Sequence, residues 1–246
     1  MAIDLSTYCP KNKSQYKNTC YAYAVAYTAM TIEYNVANNV SEAVAVEKNS
    51  FSPGYVASYH NSSLPFLKRS PWCGKYGTAD KALSLLQSEG SVFIRDYECN
   101  CESSGDIEKS LPSGTVKYRI TDYQETNINF KLSQSAIDSI KSKLAENHPV
   151  IIAVNNHVRF SNVGKEEFPD LSTDELAKVE KSAKNEGSNH VVCIVGFDDA
   201  FQNNNGFFLV KNNYADWGAN GFAWIPYTYL LRIVEVAYTI GKIYSA

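Results

Sequence analysis

The sequence lacks several features that would assign it to a whole class of proteins. Its longest apolar runs, PVIIAV and VVCIVGF, are far shorter than the about 20 residues that cross a bilayer. It has no lysine- or arginine-rich cluster, and its formal net charge is −3 with a pI near 5.8. We therefore expect neither a nucleic acid nor a membrane as partner.

The N-terminus lacks the basic start and apolar stretch of an intact secretory signal. The location is therefore open between cytoplasmic and a mature secreted form. The sequence also has no internal repeat, low-complexity tract or long linker, so we expect a single domain over 1–246. With 246 residues, 44% of them hydrophobic, the chain is long enough to bury a sizeable core.

The pattern of the sequence changes near residue 110. Before it, helical and loop segments predominate: a buried helix is predicted from Cys20 to about Glu33, with Asn18 or Thr19 as its N-cap, and a second helix within 77–90, with Thr78 as its N-cap. This predicts a helical lobe over about 11–110.

After residue 110 the sequence is rich in predicted strands. An amphipathic helix is expected in 133–148 and a strand buried on both faces in 149–156, followed by a polar helical insertion over about 157–188 with a capping-box start at Ser172 and Glu175. Four further strand-like runs follow: HVVCIVGFD, GFFLVKNN, GFAWIP and VEVAYTIG. They predict an antiparallel sheet or open barrel as a second lobe over about 111–246, which makes the fold class α+β.

Six cysteines leave the disulfide state open. Cys193 lies in an apolar run and is expected to pack as a small hydrophobe. With Cys20 set aside as a free thiol, the candidates for a disulfide are Cys9, Cys73, Cys99 and Cys101. Zinc binding by Cys99 and Cys101 is the alternative, but it lacks a second close cysteine pair, and we predict no metal and no cofactor.

Cys20 has the surroundings of a nucleophile, because the unpaired N–H groups and partial positive charge of a helix start stabilise a thiolate. Such a thiol needs a base and a group that orients the base. Among four histidines only His190 opens an apolar strand, and Asn212 ends the next one, so adjacent antiparallel strands would bring the amide beside the imidazole. The other three histidines lie in less favourable places: His60, His148 and His157. The predicted set is Cys20, His190 and Asn212.

Three segments carry a resemblance to a known family. NTCYAYA is similar to a Cys-Trp-Ala-Phe-Ala segment, NHVVCIVGFDD to an Asn-His-Ala-Val stretch, and FFLVKNNYADWGANGFAWIPYTYL to a Lys-Asn-Ser-Trp-Gly stretch with its continuation. With these motifs the sequence resembles the papain-like cysteine peptidases, most of all their bacterial members. The resemblance runs nearly end to end and is weakest over about 40–75 and 157–188.

The resemblance implies a two-lobed fold with substrate in the cleft between a helical and a sheet lobe. Cys20 would attack an amide carbonyl to form a thioester, His190 would protonate the leaving amine, and Asn212 would orient His190. Gln15 would join the Cys20 backbone N–H in an oxyanion hole. The chain would act as an endopeptidase at mildly acidic to neutral pH.

The sequence departs from the family pattern at three places. Gln15 precedes Cys20 by five residues where six are usual, and Tyr214 replaces a tryptophan that shields the His–Asn pair, in a loop to Trp217 that is one residue short. The insertion over 157–188 is the third departure. These changes bear on rate and specificity more than on mechanism.

Two other functions stay open at this point. The same thioester could be resolved by an amine or formed from a side-chain amide, as in a transglutaminase or deamidase, although Asn212 rather than Asp favours a peptidase. A binding protein that keeps the fold without turnover is less favoured. The expected partners are a protein or peptide substrate and a protein inhibitor, and the expected state is a monomer.

Overall fold

The computed structural model describes residues 1–98, 101, 104–164, 168, 171–204 and 206–246. The helices are α1 (Cys20–Ala22), α2 (Thr31–Ala37), α3 (Ala43–Lys48), α4 (Pro53–Ser63), α5 (Ala79–Ser88), α6 (Ser104–Ser110), α7 (Gln134–Ala145), α8 (Val158–Ser161), α9 (Thr173–Glu186), α10 (Phe201–Asn204) and α11 (Tyr227–Leu230). The strands are β1 (Ala2–Asp4), β2 (Tyr118–Ile120), β3 (Tyr123–Asn127), β4 (Val150–Val154), β5 (His190–Asp198), β6 (Phe207–Lys211), β7 (Phe222–Pro226), β8 (Val234–Ile240) and β9 (Ile243–Ser245).

The chain forms two compact units, each built from two stretches of sequence. The helical unit contains Thr7–Gln124 and Ile240–Ala246, and the sheet unit contains Met1–Ser6 and Glu125–Thr239. The helical unit therefore extends past the change of pattern near residue 110 and includes the strand pair β2–β9. Within the described ranges no helix is long and apolar enough to cross a membrane.

The central helix of the helical unit begins at Cys20. Helix α1 continues through a π-helical segment, Tyr23–Met30, into α2 without a break, and the residues from Tyr21 to Glu33 are buried. A helix that is apolar on all sides must be enclosed by other elements, and its alanines allow those elements to approach closely. The buried stretch agrees with the predicted helix, but the helix continues to Ala37 and its π-helical winding was not foreseen.

Two predicted N-cap positions are correct, although neither side chain caps its helix. Thr19 precedes α1 and Thr78 precedes α5, and both lack a side-chain capping bond. The Thr19 hydroxyl instead donates to the carbonyl of Tyr16. Helix α5 still forms because Ala82, Leu83 and Leu86 provide a buried face.

The sheet unit contains a seven-stranded sheet. Its order is β3-β8-β4-β5-β6-β7, with β1 paired to β5, and the pairings of β4, β5, β6 and β7 are antiparallel. All five residues of β4 are buried, as predicted for a strand covered on both faces. Helix α7 lies nearby, with Ile137, Ile140 and Leu144 buried as its spacing predicts.

The predicted helical insertion contains α8 and α9. The side chain of Ser172 accepts from the Glu175 backbone and the Glu175 carboxylate accepts from the Ser172 N–H, so the capping box is present. Only Val179 and Ala183 of α9 are buried, which leaves most of this helix facing solvent.

Candidate active site

His190 and Asn212 lie side by side where two neighbouring strands meet. His190 is the first residue of β5, and Asn212 directly follows β6, its antiparallel neighbour. The distance from His190 Nε2 to Asn212 Oδ1 is 3.0 Å, and both residues are buried. The juxtaposition expected from the strand order is therefore present.

A second hydrogen bond fixes the direction of this pair. Asn212 Oδ1 also accepts from the backbone N–H of Asn213 at 2.8 Å. A backbone N–H is only a donor, so the atom facing it must be the amide oxygen, and His190 Nε2 must in turn carry the proton. The basic nitrogen of the neutral imidazole is therefore Nδ1.

Burial controls the charge of the imidazole. It lowers the pKa of His190 to about 4, while the hydrogen bond to Asn212 acts in the opposite direction. The ring by itself is thus neutral near pH 7 and able to accept a proton. An imidazolium at this position requires a nearby negative charge to compensate for its burial.

Tyr214 covers one face of the imidazole. The two rings are nearly parallel, with centroids 4.7 Å apart and an interplanar angle of 20°, and the Tyr214 hydroxyl lies 3.3 Å from His190 Nδ1. This distance is long for a hydroxyl donor, so the contact with Nδ1 is a weak one. The contact orients the ring and leaves the Nδ1 lone pair able to take a proton from another group.

An amide cluster at the end of β4 supports Tyr214. The Asn156 amide donates to the Tyr214 hydroxyl at 3.4 Å, and the Asn156 backbone N–H donates to Asn189 Oδ1 at 2.7 Å. Sequence reasoning missed this cluster. The strand pairing could have indicated it. Val154 pairs with His190 across β4 and β5, so the residues that follow Val154 must lie near the histidine.

Cys20 occupies the position predicted for a nucleophile in the helical unit. It is the first residue of α1, is half-buried, and keeps its thiol outside the disulfide. The helix dipole at this end favours a thiolate.

The residue after Cys20 is held by a loop that a disulfide secures. The Tyr21 hydroxyl donates to the Cys73 carbonyl at 2.9 Å, and Cys73 is bonded to Cys101. A Cβ at Gly77 would lie 2.0 Å from the Tyr21 ring, so only glycine allows this approach. The loop therefore packs directly against the residue that follows Cys20.

Gln15 lies in the turn that precedes α1. Its Nε2 donates to the Lys17 carbonyl at 2.8 Å, and Lys17 adopts a left-handed conformation with φ 50°. An amide nitrogen carries two protons, so this bond uses one of them and leaves the second for another acceptor. Its role as an oxyanion donor stays a prediction.

The remaining cysteines divide between thiols and the single disulfide among the described residues. Cys73 and Cys101 are both among the predicted disulfide candidates, Cys193 is buried as expected, and Cys9 keeps its thiol. Cys99 lies outside the described residues. A cysteine in a disulfide is not a thiolate ligand, so the zinc alternative involving Cys101 is wrong, and the described residues contain no cluster suited to a metal.

The sequence model for the papain family cysteine proteases matches residues 73–229 of the chain. The chain belongs to the papain family. The matched range includes His190 and Asn212 and begins after Cys20.

An uncharacterized peptidase C1-like protein of Acanthamoeba polyphaga mimivirus is 30% identical over 232 residues, 86% of this chain and 62% of that protein. The chain therefore spans about 62% of the length of this relative.

Solved structures of papain-like proteins share the fold. Digestive procathepsin L 3 of Tenebrio molitor has a TM-score of 0.67 at 16% identity and matches 98% of this chain and 69% of its own. Bromelain of Ananas comosus, solved with the E64 inhibitor, has a TM-score of 0.65 at 17% identity over 98% of both chains. These neighbours confirm the two-lobed α+β fold class. The narrower resemblance to bacterial members stays a prediction.

Proposed function

We propose that the chain is a cysteine endopeptidase that hydrolyses peptide bonds through Cys20, His190 and Asn212. The observation that carries this proposal is the His190–Asn212 pair, in which the amide oxygen holds Nε2 and leaves Nδ1 as the base. A general base held in one tautomer by an orienting group is what a thiol nucleophile requires. Membership of a family of cysteine proteases supports the same reading.

The reaction follows from this assignment. The Cys20 thiol gives its proton to His190 Nδ1, and the sulfur attacks the carbonyl carbon of the scissile amide. His190 then returns the proton to the leaving amine, and water hydrolyses the thioester to release the acid and the thiol. The developing oxyanion is stabilised by the Cys20 backbone N–H and by the second proton of the Gln15 amide.

Three other functions remain as competitors. An amine could resolve the same thioester in a transglutaminase, and a side-chain amide could be the substrate in a deamidase. A non-catalytic binding protein would keep the fold without turnover. An orienting asparagine with an oriented histidine favours the peptidase over all three.

The test compares the wild-type protein with Cys20→Ala on unfolded casein and on a panel of peptide amides. We expect cleavage by the wild type, blocked by the inhibitor E64, and none by Cys20→Ala. Cys9→Ala is the matched control, because it removes a half-buried thiol that has no role in the proposal.

Peptide mapping after substoichiometric iodoacetamide distinguishes the alternatives. A single labelled thiol at Cys20 together with cleavage supports the peptidase. If Cys20 is labelled but no peptide is cleaved, incorporation of an amine would indicate acyl transfer and release of ammonia would indicate deamidation, and either result would contradict the peptidase function. Labelling spread evenly over several thiols, without turnover, would favour the binding protein.

A further inference from the structure

The turn around residues 65–69 presents two large apolar side chains to solvent. Phe66 and Leu67 lie in a 3₁₀ turn, Phe66–Lys68, and are 81% and 95% exposed. No other large apolar residue in the described part of the chain is as exposed. Folding normally removes such side chains from water, so their position needs an explanation.

The turn is built to hold this conformation. The Arg69 guanidinium donates to the carbonyl of Leu64 at 3.0 Å and to that of Ser62 at 2.8 Å, which closes the base of the turn. The backbone N–H of Lys68 donates to the Pro65 carbonyl at 2.7 Å. Two apolar side chains are thus held outward by a hydrogen-bonded frame.

The frame is anchored on buried structure. The Ser70 N–H donates to the buried Asn61 side chain at 2.8 Å, and the Cys73–Cys101 disulfide follows three residues later. The exposure of the turn is therefore a property of the folded unit rather than of a loose end.

The charge around the turn is opposite in sign to that of the whole chain. Between Ser50 and Ala79 the sequence has no Asp or Glu, whereas Lys68, Arg69 and Lys75 are basic. The net charge of −3 comes from other segments. At physiological salt charges are screened over about 8 Å, so the basic side chains next to the turn count for more than the net charge of the whole chain.

Two exposed aromatic residues follow the turn in the same loop. Trp72 and Tyr76 are 48% and 58% exposed, and the Lys17 ammonium lies 5.4 Å from the Trp72 ring centroid. Protruding apolar side chains, an exposed Trp and flanking lysines are the combination that inserts at a membrane interface and contacts anionic headgroups.

We propose that the Pro65–Arg69 turn docks the protein on an anionic lipid surface, with Phe66 and Leu67 inserted and the neighbouring lysines on the headgroups. Two adjacent, almost fully exposed side chains suit insertion between lipids, whereas a stable protein partner would need a broad complementary face. The expectation of no membrane partner rests on short apolar runs, on the lack of a lysine- or arginine-rich cluster and on the net charge, and none of these describes two exposed apolar side chains beside a few basic residues. The proposal is independent of the proposed catalytic activity.

The test is sedimentation of the full-length protein with vesicles of phosphatidylcholine alone or with about one third phosphatidylserine. We expect at least about tenfold stronger partitioning with phosphatidylserine and a loss of this binding at high salt. The double variant Phe66→Ala/Leu67→Ala should bind at least about tenfold more weakly, because both inserted side chains are removed. Lys68→Glu/Lys75→Glu should abolish the preference for the anionic lipid.

Val44→Ala/Val158→Ala is the matched control, since it shortens two other exposed apolar side chains. Equal loss of binding in this control, or unchanged binding in the Phe66/Leu67 variant, would overturn the proposal. So would concentration-dependent dimerisation in analytical ultracentrifugation that the Phe66/Leu67 variant abolishes, because the turn would then be a contact between copies of the chain.

Discussion

At the scale of single residues, the candidate site depends on how one imidazole is held. Asn212 fixes the proton on Nε2, Tyr214 covers the ring face, and burial keeps the neutral form. His190 and Asn212 were predictable, because each lies at a strand boundary where a side chain can project beyond the sheet. The contact of the Tyr214 hydroxyl with His190 was not predictable, because the replacement of the usual tryptophan by tyrosine indicates only a smaller cover over the His–Asn pair.

Replacing the orienting amide by a carboxylate should shift the pH profile. In Asn212→Asp an anion faces Nε2, and an opposite charge favours the protonated imidazole, so the pKa of His190 should rise from about 4. The group must be neutral to act as a base, so we expect the acidic limb of kcat/KM to move to higher pH. Activity at pH 5 should fall more than activity at pH 7.

The matched control is Asn220→Asp, which adds the same charge at an exposed position of the same loop. It should leave the profile unchanged, because a solvated carboxylate is screened. NMR titration of His190 in each variant reports the pKa without reliance on turnover. An unshifted His190 titration in Asn212→Asp would contradict the assignment.

At the scale of secondary-structure elements, the sequence was informative where the signal is local. Helix α7 and strand β4 follow from side-chain periodicity and a short apolar run, and the capping box of α9 from two residues three apart. The π-helical segment of the central helix was invisible, because its residues are apolar on every side and no period distinguishes the winding. Helix α4 was overlooked, although Ser52 as N-cap and Pro53 at the first turn are a recognisable start.

The turn before the central helix yields a kinetic prediction. If the second proton of the Gln15 amide points to the oxyanion, Gln15→Ala should lower kcat by about 10²–10³ and leave KM nearly unchanged, because the donor acts when charge develops on the oxygen. Gln15→Glu should behave in the same way, since a carboxylate cannot donate. Steady-state kinetics on a peptide amide measures both constants.

Lys17→Ala is the control for this turn, because the Lys17 carbonyl, and not its side chain, accepts the Gln15 bond. It should keep kcat close to that of the wild type. An unchanged kcat in Gln15→Ala would show that another group donates to the oxyanion, and the five-residue spacing to Cys20 would then be the reason.

At the scale of the whole molecule, the features that escaped prediction join distant parts of the sequence. Strand β1 pairs with β5, β2 pairs with β9, and each of these pairs contains a strand of three residues, too short to carry a pattern. The disulfide partner of Cys73 was equally undetermined, because four cysteines allow several pairings. Local patterns specify elements, whereas long-range partners depend on packing that a single sequence does not display.

The disulfide should make a large contribution to stability. Cys73 and Cys101 are 28 residues apart, and closing a loop of this length stabilises the folded state by about 3–4 kcal/mol, mainly by restricting the unfolded chain. We therefore expect Cys101→Ser to lower the free energy of unfolding in urea by this amount, and Cys9→Ser, which removes a thiol, to change it little.

The wild type in dithiothreitol should resemble Cys101→Ser, and Cys101→Ser should not respond to the reductant. Mass spectrometry of a digest would verify that no other cysteine has paired with Cys73. Equal stability of the two serine variants would mean that packing alone holds the loop against Tyr21, and that the covalent bond adds nothing to it.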